Sequence, residues 1–97
     1  MHAIIRDIRI EILRPERLPK EQWEPLLDEL GAEPSAGTPA GKRHAIFPDQ
    51  SGEMRAYIYR TTDMADEEIV RILGKYGIPA TVGSKSAVSV RGRAEEP

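Results

Sequence analysis

Isoleucines alternate with charged residues over 8–12, with Ile8, Ile10 and Ile12 on one side of an extended chain and Arg9 and Glu11 on the other. This period of two predicts a half-buried strand with the isoleucines inward. Pro15 ends ladder pairing, and the period then changes. Trp23, Leu26, Leu27 and Leu30 recur at i, i+3, i+4 and i+7, the stripe of an amphipathic helix, and Gly31 suits a left-handed C-terminal cap. Because Pro25 lacks a backbone donor, the regular helix is expected to start near Glu24, after a loose first turn at Pro19.

Segment 31–43, GAEPSAGTPAGKR, offers no large apolar side chain to bury and reads as an exposed, mobile loop. A hairpin is expected next, with arms 44–47 and 54–60 about a turn at Pro48-Asp49-Gln50-Ser51-Gly52. In its second arm Met54, Ala56 and Ile58 face one way and Arg55, Tyr57 and Tyr59 the other. Asp63 reads as the N-cap of a second helix, with Asp66, Glu67 and Glu68 in its first turn and Arg71 and Lys75 near its end, as the helix dipole favours. Its inward stripe is Ala65, Ile69, Ile72, Leu73 and Tyr76, capped by Gly77. Residues 78–90 carry at least one more strand, with a break expected at Gly83-Ser84-Lys85. Segment 91–97 reads as a disordered tail.

The order strand, helix, strand, strand, helix, strand predicts an α+β fold of the ferredoxin-like βαββαβ arrangement, an antiparallel sheet with both helices on one face. One domain over 1–90 accommodates it. The first and third strands would be central, so the uncovered face should present Arg9 and Glu11 beside Arg55, Tyr57 and Tyr59. That face becomes the candidate binding surface.

Composition narrows the chemistry. With no cysteine among 97 residues, disulfides, thiolate metal sites and cysteine nucleophiles are excluded, as fits a reducing, cytoplasmic setting. Charges at Arg6, Asp7 and Arg9 interrupt the N-terminal apolar stretch, and no run of about 18 apolar residues occurs, so neither a signal peptide nor a membrane partner is expected. Sixteen acids against fourteen Lys and Arg leave a net charge of −2, which disfavours a general nucleic-acid binder.

Each motif has a plain structural reading beside its chemical one. His2 and His44 are the two imidazoles, and neither has a carboxylate at ligand spacing, so no metal is expected. The acids at 66–68 serve a helix N-terminus, which accounts for them without general acid–base work. In GIPATVGSKS the glycines are one position too far apart for a phosphate-binding loop, Ser84 precedes Lys85, and a strand follows instead of a helix; no nucleotide or other cofactor is expected.

The leading expectation is a non-enzymatic protein-interaction module that forms a homodimer or binds another protein through the open sheet face. Tyr57, Tyr59 and Arg55 would be its anchors, with Arg9 and Glu11 fixing register. Regulatory, inhibitory and assembly factors, phage-borne ones among them, fit that description. The alternative is single-stranded RNA or DNA binding by Arg55, Tyr57 and Tyr59, helped by Lys42 and Arg43 at the loop exit. A third reading is a small cofactor-free enzyme with its pocket between the sheet and loop 31–43.

Overall fold

The computed structural model describes residues 1–61 and 63–83. Five strands and two helices follow in the order β1 (His2–Ile5), β2 (Arg9–Leu13), α1 (Lys20–Glu29), β3 (Ala45–Pro48), β4 (Met54–Tyr59), α2 (Asp66–Lys75) and β5 (Ala80–Val82). They form one sheet in the order β3-β4-β2-β1-β5. The fold is thus α+β, but the strand order departs from the ferredoxin-like expectation. In that arrangement β5 would lie beside β2; here β1 lies between them. β1 pairs antiparallel with β2 and parallel with β5, so the sheet is mixed and not antiparallel throughout.

The strand missing from the sequence reading is short, and only Ala3 and Ile5 mark its inward side. Once it pairs in the register Ile5↔Ile10, the chain must reverse at residues 6–9, where the Arg6 amide donates to the Arg9 carbonyl at 2.9 Å. Ile8 therefore sits in a turn, 67% exposed, and not on the buried side with Ile10 and Ile12.

The core follows strand parity. Ala3, Ile5, Ile10, Ile12, Ala56 and Ile58 are buried on one sheet face, against Leu26, Leu27 and Leu30 of α1 and Ile69, Ile72 and Leu73 of α2. Both helices thus occupy the same face. Two details differ from expectation. The α1 helix begins at Lys20 and runs through Pro25; Glu21, whose carbonyl loses its donor, is exposed, so solvent can satisfy that oxygen. The N-cap of α2 is Ala65, exposed and without a side-chain cap, in place of Asp63. Asp66 at the first helical position pairs instead with Arg60 at 2.7 Å.

The helix ends behave as glycine dictates. Gly31 and Gly77 have φ of 66° and 76°. The next amide bonds back to the third-last helical carbonyl in both cases, Ala32 to Leu27 and Ile78 to Leu73, each at 3.0 Å. These are paired Schellman closures that bury Ala32 and Ile78 under the helices. Between the helices, Glu29 accepts from the Tyr76 hydroxyl at 2.6 Å and pairs with Lys75.

Segment 31–43 contains no helix or strand and makes a few bonds of its own. Ser35 and Thr38 close a turn on each other, and Arg43 bridges Glu24 and Asp28 on α1. Just past it, His44 stacks on Trp23 with ring centroids 4.5 Å apart. The expectations for residues 84–90 and for the tail 91–97 lie outside the described residues.

Because Ile78 is fully buried and Gly77 needs a left-handed backbone, their replacements should differ in size. Ile78→Ala should cost about 2–4 kcal/mol through lost burial and a cavity. Gly77→Ala, where a methyl meets nothing within 4 Å, should cost about 1 kcal/mol through φ alone. Urea denaturation of the two variants gives the comparison.

Candidate functional site

On the sheet face opposite the helices, register decides which side chains meet. Arg9 lies across from Tyr59, Glu11 from Tyr57 and Leu13 from Arg55, while Ala45 and Phe47 of β3 lie across from Tyr57 and Arg55. Arg9, Glu11, Arg55 and Tyr57, singled out from the sequence, do come together, and two further residues join them. Arg6 enters because β1 turns back onto β2. Asp49 enters from the β3–β4 turn.

Glu11 is at the centre and 3% exposed, the only buried charged side chain among the described residues. Three guanidiniums hold its carboxylate: Arg6 Nε at 3.1 Å and Arg9 Nε at 2.8 Å from Oε2, and Arg55 Nη1 at 2.8 Å from Oε1. Burial pushes the Glu11 carboxyl up, but the Arg9 hydrogen bond and the charges and bonds of Arg6, Arg9 and Arg55 outweigh it and hold the group below the usual carboxylate range. Burial likewise opposes the Arg9 charge, and the bond to Glu11 overrides it, with Tyr59 contributing as well.

Asp49 repeats the device at the rim. Its Oδ1 accepts from the Ser51 hydroxyl at 2.6 Å and from the Ser51 and Glu53 amides at 2.8 and 3.1 Å, fixing the turn, while Oδ2 accepts from Arg55 Nε at 3.1 Å. The Ser51 hydroxyl is the largest cause of a lowered Asp49 pKa, the amides and Arg55 adding to it against some desolvation. Arg55 thereby ties the β3–β4 turn to the centre of the sheet. Around these groups lies an open concavity of about 940 Å³, lined also by Gln50, Pro48 and Tyr57.

The aromatics divide. Arg9 lies over the Tyr57 ring, 5.2 Å from its centroid, and Phe47 tilts against the same ring at 6.0 Å. Phe47 is about half exposed. Tyr59 sits instead under loop 31–43: a methyl at Gly37 would fall 2.2 Å from its hydroxyl oxygen. Lys42 is exposed in the loop, and Arg43 is bound to α1, so neither extends the arginine cluster. Between the loop and the end of β4 is a smaller concavity of about 380 Å³, lined by Glu33, Ser35, Tyr59, Arg60 and Asp63 among others.

Chemically, the larger concavity offers hydrogen-bond donors and positive charge, three guanidiniums against two carboxylates. A guanidinium that gives one nitrogen to a carboxylate keeps donors on the others. Among the described residues no group of three His, Cys, Asp or Glu side chains is placed to hold a metal ion, and no helix is long and apolar enough to cross a membrane. His2 lies near Thr81 on β5 and His44 against Trp23, so the imidazoles do not converge.

Two consequences can be measured. Glu11→Gln keeps the shape but removes the charge that three arginines share, and should cost about 2 kcal/mol at neutral pH. A lowered folded-state pKa stabilises above the unfolded value and is lost as pH falls through the folded one. The wild-type advantage over Glu11→Gln should therefore shrink below about pH 4.3, the ordinary glutamate value, in paired urea titrations. Gly37→Ala should force Tyr59 or the loop aside at a cost of about 1–3 kcal/mol, read as a lowered melting temperature. Comparison with protein families, with curated proteins and with solved structures returned no match, so the reading of this site rests on its own geometry.

Proposed function

We propose that this chain is a non-enzymatic interaction module that binds a protein partner through the open face of its sheet. The observation that carries the reading is the array on that face: Phe47 and Tyr57 stand beside three arginines whose positions are fixed from below by a buried carboxylate. Tyr and Arg are enriched at the centres of protein interfaces because each combines contact area with directed donors. Arginines held by Glu11 and Asp49 have little side-chain entropy left to lose on binding, which favours affinity.

Catalysis has less support. The pair in the concavity that most resembles a nucleophile and its base is Ser51 with Asp49. Asp49 accepts several donors and is held below the usual carboxylate range, so it is a poor proton acceptor. Nucleic-acid binding draws support from Arg6, which makes the face more basic than Arg9, Glu11 and Arg55 alone would. Against it, Tyr59 lies under the loop and Tyr57 already has Arg9 over its ring, so neither stands clear as a platform for a base.

The test replaces the aromatic anchors. Phe47→Ala with Tyr57→Ala should keep the wild-type circular dichroism. It should lose, by about 30-fold in apparent affinity, any partner that wild type retains at physiological salt. Equal retention by the double variant overturns the reading. So does a wild-type protein that captures no partner and stays monomeric in light scattering.

A further inference from the structure

The concavity also has a sign, and from it we infer that the partner presents an acidic segment whose carboxylates seat on Arg6 and Arg9, with the charge of Arg55, itself held by Glu11 and Asp49, behind them. This rests on the interaction reading above and specifies the chemistry of its partner. The floor of the concavity is already neutralised: both Glu11 oxygens are engaged, one by Arg6 and Arg9, the other by Arg55. Three guanidiniums against Glu11 and Asp49 leave one positive charge in excess on a chain whose net charge is −2. Arg6 and Arg9 bind Glu11 through Nε, and both remain more than a third exposed. A guanidinium anchored through Nε directs its terminal nitrogens away from Glu11; Tyr59 takes a bond from Arg9, and the donors left on Arg6 and Arg9 face a second carboxylate with the geometry that suits arginine.

Two other occupants fit the charges less well. A nucleic-acid backbone needs a continuous basic track, yet Asp49 stands at the rim and Arg43, at the exit of the loop, is bound to Glu24 and Asp28. A second copy related by a two-fold axis through this face would set the arginine cluster against its own image, with like charges opposed. A discrete carboxylate pair on a protein segment meets neither obstacle.

The measurement is fluorescence anisotropy of a short labelled peptide of alternating Glu and Ser, beside its Gln/Ser counterpart and an oligouridylate of similar length. The acidic peptide should bind, more weakly as salt rises, and the neutral one should not. Arg6→Gln and Arg9→Gln should each weaken binding about tenfold, and Arg9→Lys, which keeps charge without the fork, should fall between.

The inference is overturned by absence of acidic-peptide binding at low salt, by binding that the arginine variants leave unchanged, or by tighter binding of the oligouridylate. A concentration-dependent doubling of mass in light scattering that Arg6→Gln with Arg9→Gln abolishes also overturns it, in favour of a second copy. If the acidic peptide fails while Phe47→Ala with Tyr57→Ala still loses a captured protein, the carboxylate proposal falls and the interaction face stands.

Discussion

Glu11 occupies the middle of the central strand between two isoleucines that cannot leave the core. Ile10 and Ile12 are packed under the helices, so strand parity drives the intervening side chain to the other face. A carboxylate in that position, 3% exposed, is tolerable only if its charge is met, and breaking a buried pair by removing one partner costs far more than the pair contributes. The three arginines answer that requirement. Much of the open face follows: Arg55 reaches Asp49 and orders the β3–β4 turn, and Arg9 comes to rest over Tyr57.

The inserted strand changes both the shape and the chemistry of the sheet. By lying between β2 and β5, β1 makes a five-stranded mixed sheet and moves the crossover of α2 outward, where that helix packs on β1 and β5. Its turn back into β2 delivers Arg6 to Glu11. Arg60 then locks this corner, donating to the Arg6 and Met64 carbonyls at 2.8 and 3.0 Å while pairing with Asp66 at the start of α2. One short hairpin thus supplies a third guanidinium to the open face and a brace between sheet and helix.

Loop 31–43 has an equally physical role. It reaches the open face at Tyr59, where Gly37 lies so close to the ring that no side chain could intervene. Its other end is held on the helix side by Arg43 on Glu24 and Asp28 and, just beyond, by the His44–Trp23 stack. It packs against Tyr59, which also borders Arg9, while Tyr57 lies between Arg9 and Phe47, so the two aromatics of a single strand have different surroundings.

Local chemistry by itself determined a good deal of this protein. The stripe of Leu26, Leu27 and Leu30, the inward Ile69, Ile72 and Leu73, and the glycines that end each helix are all set by periodicity and by backbone conformations that few other residues adopt. The parity of 9–12 and 54–59 was equally legible, and with it the meeting of Arg9, Glu11, Arg55 and Tyr57. The strand at His2–Ile5 was not, because four residues with a single large inward side chain carry too little pattern to stand out before their partners are known. Ile8, Arg6, Asp49 and Gly37 acquired their roles only in tertiary structure: the first two through the pairing of β1 with β2, Asp49 through the turn that faces Arg55, Gly37 through a contact with Tyr59. Side-chain period reports which face a residue takes. Which neighbours meet it there is decided by strand order, and strand order depends on pairings between segments far apart in the chain.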